Sequence, residues 1–334
     1  MKKISKKYGV TIAASVLGVM LSVSGCGTKT YEFEHPYNVY GTSISYIQPQ
    51  TGASQQTASS DKVSFFAQNL CVTETEHADA GEADASAAEA AAVFELDEGT
   101  IPYAKNIYQK LYPASTTKIL TALLACKHAE LADTVTVSEQ AANQAGDSSV
   151  CGLKAGDQIT LEELLYGLLL ESGNDAAIAI AEHISGSPQN FATLMNEEAA
   201  ALGATHSHFT NPHGLHEEEH YTCAYDLYLI LNAALQYEPF QTIIHTAAHT
   251  ASYRNASGAA VTQEWETTDQ FLTGESAVPE GITVLGGKTG TTNAAGYCLV
   301  LHSKDAAQKE QISIVLNADS REKLYEIMGE LLKI

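Results

Sequence analysis

Apolar and polar positions follow two rhythms along the chain, and their order predicts strands, then many helices, then strands, then one helix. Val63 to Val72 reads as a strand, and Glu74 to Glu89 as a solvated Ala/Asp/Glu-rich loop or loose helix. Ala92 to Leu96 is an apolar run, Asp97-Glu98-Gly99-Thr100 a turn, and Ile101 to Ala104 a second strand, which together predict a β-hairpin. Pro113 opens a helix from Ser115 to His128, with Ile119, Leu120, Leu123 and Leu124 as its apolar stripe. Thr160-Leu161-Glu162-Glu163 is a capping box ahead of Leu164, Leu165, Leu168 and Leu169 at helical spacing. Further helices are expected at Ala176–Ser185, Gln189–Leu202 and Ala224–Leu235. Strands return at Thr283–Leu285, Tyr297–His302 and Ile312–Asn317, and a helix over Ser320–Leu332 closes the chain. This order predicts an α+β fold, an antiparallel sheet flanked by helices with an inserted all-helical lobe.

The N-terminus follows a different logic. Lys2, Lys3, Lys6 and Lys7 precede an apolar stretch from Gly9 to Val23, the layout of a secretory signal over residues 1–25. It ends in Val23-Ser24-Gly25-Cys26, small residues before a cysteine as in a bacterial lipobox, so Cys26 is the expected lipid attachment site. The signal is the one apolar run that approaches membrane-spanning length, which excludes a polytopic membrane protein. Its removal deletes four lysines and no acid, taking the net charge from −22 to −26. A chain this acidic repels phosphate backbones, so nucleic acid is not an expected partner. Residues 26–90 read as a tether plus the acidic segment, and 91–334 as the folded domain. With Cys26 set aside, five cysteines remain, an odd number without CxxC spacing. Cys126 and Cys298 sit in apolar runs and read as small buried hydrophobes.

Three short motifs carry candidate chemistry. Ser115-Thr116-Thr117-Lys118 places a hydroxyl and an amine on one face at a helix start. A serine beside a lysine of depressed pKa is an activated nucleophile. Ser172-Gly173-Asn174 follows the leucine-rich helix, and Lys288-Thr289-Gly290 follows Gly286-Gly287, on a strand whose glycines let a ligand approach. Singly each is weak; a capped helix, a glycine helix stop and a hairpin turn would explain them.

Together, in this order, the three form the signature of serine penicillin-binding proteins and class A β-lactamases. The flanking residues sharpen the likeness: Tyr112–Thr121 (YPASTTKILT), Leu153–Asp157 (LKAGD), Leu169–Ala177 (LLESGNDAA), Asn211–Leu215 (NPHGL) and Gly287–Tyr297 (GKTGTTNAAGY). From Ala91 to the C-terminus the chain resembles D-alanyl-D-alanine carboxypeptidases of the low-molecular-mass penicillin-binding type. The resemblance implies a β-lactamase/transpeptidase-like fold. It implies Ser115 as nucleophile, Lys118 as its base, Ser172 as proton relay and Asn174 as the group that orients Lys118 and holds the substrate amide. It implies Lys288, Thr289, Gly290 and Thr291 as substrate-binding residues, with the N–H groups of Ser115 and Thr291 as oxyanion hole. The implied substrate is a peptidoglycan stem peptide ending in D-Ala-D-Ala, β-lactams are the implied covalent inhibitors, and neither metal nor organic cofactor is required. The implied location is the outer face of the bacterial cytoplasmic membrane.

Relatives commonly carry a basic residue about fifteen positions before Lys-Thr-Gly; here Thr267-Thr268-Asp269-Gln270 has none. Many also append a β-rich domain and an amphipathic anchor, which the N-terminal lipid is expected to replace. His216-Glu217-Glu218-Glu219-His220 satisfies the H-E-x-x-H zinc pattern. The preceding Asn211-Pro212-His213-Gly214 turn and the lack of an apolar face predict a solvated loop instead. His206, His208 and His213 read as loop or packing histidines. Two other functions compete. A class A β-lactamase needs a water-activating glutamate, and no Glu-x-x-Leu-Asn stretch follows Ser172. A non-catalytic peptidoglycan-binding lipoprotein has no need of Ser115, Lys118, Ser172, Asn174 and Lys288 together.

Overall fold

The computed structural model describes residues 70–73, 78–79, 83–146 and 148–334. The signal segment, Cys26, the tether, residues 63–69 of the expected Val63–Val72 strand and parts of the acidic segment lie outside the described residues.

Strand β1 (Ala78–Asp79) pairs with β3 (Thr100–Lys105), which forms the predicted hairpin with β2 (Ala88–Glu95). β2 starts at Ala88, inside the segment read as loop or loose helix. The reason is the ladder: Ala88 lies opposite Ala318, and sheet pairing overrides the helical preference of an alanine-rich run. Three late strands complete the sheet: β8 (Thr283–Thr292), β9 (Gly296–Lys304) and β10 (Glu310–Ala318). The antiparallel order is β1-β3-β2-β10-β9-β8.

Strict alternation sends neighbouring residues of these strands to opposite sides. Ala90, Ala92 and Phe94 of β2, Ile312, Ile314 and Leu316 of β10, and Val300 of β9 face the core of the helical lobe. Ala91, Val93, Leu299, Leu301 and Val315 face Leu324, Ile327, Met328 and Leu331 of the last helix, α9 (Arg321–Leu331). The sheet is therefore covered on both faces, which is why its strands read as continuous apolar runs.

Between β3 and β8 lies the predicted helical lobe. It comprises α1 (Lys118–His128), α2 (Glu139–Ala142), α3 (Leu161–Leu169), α4 (Asn174–Ser185), α5 (Pro188–Ala201), α6 (Ala224–Ala234) and α7 (Glu238–Ile244). The capping box acts as read, with the Thr160 hydroxyl accepting from Glu163 N; the structure adds Ser187, which caps α5 with Pro188 behind it, and Ser320, which caps α9. A further turn, α8 (Gln270–Thr273), precedes β8.

The sequence reading gave no second sheet, yet β4 (Thr134–Thr136), β5 (Gln158–Thr160), β6 (Ala248–Arg254) and β7 (Ala260–Glu266) form one in that order. Its strands are short or largely polar; Ala251, Tyr253 and Trp265 alone anchor the long hairpin. β8 also runs seven residues past its predicted end, through Gly286-Gly287 with a register shift. The cysteines Cys71, Cys126, Cys151, Cys223 and Cys298 are all free thiols. Among the described residues, no helix is long and apolar enough to cross a membrane.

Candidate active site

The fold brings the three motifs to one cleft of about 250 Å³. Ser115 stands on a tight 3-10 turn, Ala114–Thr117, that runs into α1. The chain enters that turn through Ala114 at φ 48°, a left-handed conformation that a non-glycine residue holds only under constraint. β8 supplies part of the constraint. A side chain on Gly290 would lie 2.9 Å from Pro113 O and from Ser115 N, so the strand presses directly on the turn.

Lys118, at the first position of α1, is fully buried, and its Nζ lies 3.0 Å from Ser115 Oγ. The same nitrogen donates to Asn174 Oδ1 and to His213 O, each at 2.8 Å. Both of those partners are pure acceptors. A neutral amine has two N–H groups and one lone pair, so those two bonds use both hydrogens and turn the lone pair toward the Ser115 hydroxyl. Burial, reinforced by the charge of Lys288, holds Lys118 well below the ordinary lysine pKa.

Ser172 lies in the loop between α3 and α4, again at positive φ (59°), with its Oγ buried and without a hydrogen-bond partner. The helix expected to end at this motif stops at Leu169, and the next begins at Asn174. Lys288, Thr289, Gly290 and Thr291 lie on β8, which closes one end of the sheet order. Lys288 is completely buried; desolvation lowers its pKa to about 7, opposed by the carboxylate of Asp269. Burial in turn pushes Asp269 up to about 6. Every site residue named from the sequence within the described part of the chain therefore lies on these three converging segments.

A fourth segment closes the back of the site. Asn211 accepts from Gly214 N and donates to Leu215 O, shaping the loop whose His213 carbonyl holds Lys118. Gly214 sits at φ +87°, and a side chain there would fall 1.8 Å from Ala114 O. We expect Gly214→Ala to cost about 3 kcal/mol and to lower Tm by roughly 6–12 °C. A thermal melt checks this; an unchanged Tm would show that the contact yields freely.

His216–His220 forms no helix, as the loop reading expected, but the loop is not wholly solvated, because His220 is buried. His220 Nδ1 accepts from Thr210 N, so its Nε2–H donates to Thr117 Oγ1 at 2.9 Å. Burial keeps that ring neutral, with a pKa lowered to about 3. His220 supports the Ser115 turn from behind.

Sequence reasoning missed three contributors. Asp175 accepts from Cys151 N and Leu153 N and so fixes the segment carrying Ser149, which lines the cleft. Its place directly after Ser172-Gly173-Asn174 was the available signal. Thr268 lies against Thr289, hydroxyl to hydroxyl at 2.5 Å. Arg321, at the start of α9, lines the same cleft as Thr268 and Gln270. A cation does therefore stand beside the stretch that lacks one in sequence, and only the fold could reveal it.

The family of D-alanyl-D-alanine carboxypeptidases matches residues 75–320. D-alanyl-D-alanine carboxypeptidase DacF of Bacillus subtilis is 35% identical over 239 residues, covering 70% of this chain and 58% of that protein. DacC of Escherichia coli is also 35% identical, over 64% of this chain and 52% of its own. The chain thus spans little more than half the length of these curated relatives. The crystal structure of the Streptomyces K15 DD-transpeptidase superposes with a TM-score of 0.67 at 29% identity, covering 74% of this chain and 98% of that one. The fold is that of the penicillin-binding DD-peptidases, and the likeness in sequence covers all three motifs of the cleft. The chain belongs to the D-alanyl-D-alanine carboxypeptidase family, peptidase family S11.

Proposed function

We propose that this protein is a serine D-Ala-D-Ala carboxypeptidase that removes the terminal D-alanine from peptidoglycan pentapeptide stems. The observation that carries the reading is the buried Lys118 amine, 3.0 Å from Ser115 Oγ with its two other contacts occupied by acceptors. Lys118 takes the Ser115 proton as Oγ attacks the carbonyl between the two D-alanines, giving a tetrahedral oxyanion. The N–H groups of Ser115 and Thr291 stabilise that oxyanion, a contribution of about 3 kcal/mol per donor. The unpartnered Ser172 hydroxyl passes the proton to the leaving amine, and Asn174 holds Lys118 and the substrate amide. D-Alanine leaves, and water hydrolyses the acyl ester to free Ser115. Protonated Lys288, with Thr289, receives the terminal carboxylate, and Arg321 adds positive potential to the cleft that it lines together with Thr289. A β-lactam enters the same path and acylates Ser115. The signal segment and Cys26 support export and a lipid anchor on the outer face of the cytoplasmic membrane, in reach of the stem peptides.

The test is incubation of the full chain with a fluorescent penicillin, with and without EDTA, beside release of D-alanine from a pentapeptide. Covalent label that survives EDTA, together with D-alanine release, is expected. Absence of label on folded protein overturns the reading, and label that turns over within seconds points to a β-lactamase.

Asp269 sets the alkaline limit of this reaction. Its carboxylate raises the Lys288 pKa, and Lys288 must be charged to take the substrate carboxylate. Asp269→Asn keeps the cap on Phe271 N but removes that charge. The alkaline limb of the acylation rate is expected to move to lower pH. A limb that stays in place or moves upward would break the link between the two groups.

A further inference from the structure

A second cluster of ligating side chains lies away from the cleft, where the loop after α5 meets the start of α6. His206, Cys223 and Asp226 each place one donor atom within 4.8 Å of the others. Cys223 and Asp226 are fully buried, while His206 is exposed and leaves a path for an ion from solvent.

The hydrogen bonding of Asp226 points to a missing partner. Its Oδ2 accepts from His206 N at 2.8 Å and from Ser207 Oγ at 2.6 Å. Its Oδ1 is buried and has no hydrogen-bond partner. A carboxylate with one oxygen doubly held and the other unused is oriented like a metal ligand with its outer shell already built. Cys223 caps α6, its sulfur accepting from Asp226 N at 3.4 Å. Burial and the neighbouring Asp226 carboxylate push the free Cys223 thiol up, so it is protonated until an ion displaces its proton.

We propose that His206, Cys223 and Asp226 form a binding site for a borderline-soft divalent transition metal, zinc above all. A thiolate, an imidazole and a carboxylate are the zinc donor set, and a water completes the tetrahedron. Zinc would bring the donors to roughly 3.5 Å from one another, and rotation of the exposed His206 ring closes that gap. Binding forms a metal–sulfur bond and releases the Cys223 thiol proton to water, so affinity rises with pH. No redox step is involved. The ion ties the 202–223 loop, which carries Asn211, His213 and Gly214, to the start of α6. It acts as a staple on the support of the Ser115 turn and takes no part in the chemistry there.

The test is titration of the full, reduced chain with Co(II) as spectroscopic probe, then with Zn(II). One equivalent of Co(II) is expected to give a thiolate-to-cobalt charge-transfer band that Zn(II) bleaches. Cys223→Ser, which keeps a capping oxygen, should abolish the band; His206→Ala should weaken Co(II) binding at least about tenfold. Saturating zinc should raise Tm by about 5 °C in the wild type and not in Cys223→Ser. Absence of the band in the wild type overturns the proposal, as does a band that persists in Cys223→Ser. Because His206 is an exposed loop residue, its variant reports even if Cys223→Ser fails to fold.

Discussion

Ser115→Ala is expected to stay folded, to form no covalent adduct with penicillin, and to release D-alanine at least about 10⁴-fold more slowly. The fold does not depend on the hydroxyl. Its hydrogen bond is to Lys118 Nζ, whose two other partners remain. The geometry of the turn comes from its backbone, through Thr116 N donating to Pro113 O and through the contact of Gly290 beneath it. The loss therefore falls on chemistry alone: without Oγ there is no atom to form the acyl ester. Mass spectrometry of the penicillin-treated variant reads the outcome directly. An adduct that persists would move the nucleophile elsewhere in the cleft. Ser172 is then the obvious site, since its buried hydroxyl has no partner.

The sequence disclosed the chemistry more fully than the architecture, for a physical reason. Ser115 with Lys118, Ser172 with Asn174, and Lys288 with Thr289 are local pairs, each set by the spacing of one turn or strand. Their convergence could be inferred because the three motifs lie in a known order. Arg321 carried no such mark. It is one exposed arginine at a helix start, and the pairing of β10 with β9 and β2 is what delivers it to the cleft. The second sheet was hidden because β6 and β7 bury one side chain in two at best, and β4 and β5 are three residues each. The hairpin signal at Asn255-Ala256-Ser257-Gly258 was present but lay between polar runs. The left-handed backbone at Ala114 and Ser172 was also invisible. Neither residue type favours positive φ, so both conformations are imposed from outside: Gly214 and Gly290 press on the first, and Cys151 packs against Gly173 beside the second. Strain of this kind, at Ser172 and at the residue before Ser115, fixes both hydroxyls before substrate arrives.

The Lys118→Met variant is expected to lose about 10³-fold in acylation rate, the contribution of a well-placed general base. Methionine fills similar volume, so Ser115 stays in position but has no acceptor for its proton. The change acts on stability in two opposing ways. It orphans Asn174 Oδ1 and His213 O, which costs about 1–3 kcal/mol each. It also removes an amine that is charged in the unfolded chain and whose charged form burial disfavours in the folded one. For such a group the unfolded state binds the extra proton, so stability rises with pH between the lowered folded value and the ordinary 10.5. The slope is about 1.4 kcal/mol per pH unit for each proton. Lys288, lowered to about 7, adds a second contribution of the same sign. Wild-type protein should therefore gain stability from neutral toward alkaline pH, and Lys118→Met should show a distinctly shallower rise while acylation stays low at every pH. Denaturant unfolding at pH 7 and pH 9 measures the slope, and penicillin labelling at both measures the rate. A variant with the full wild-type slope would mean that Lys118 is charged in the folded protein, and the base would have to be sought in another group.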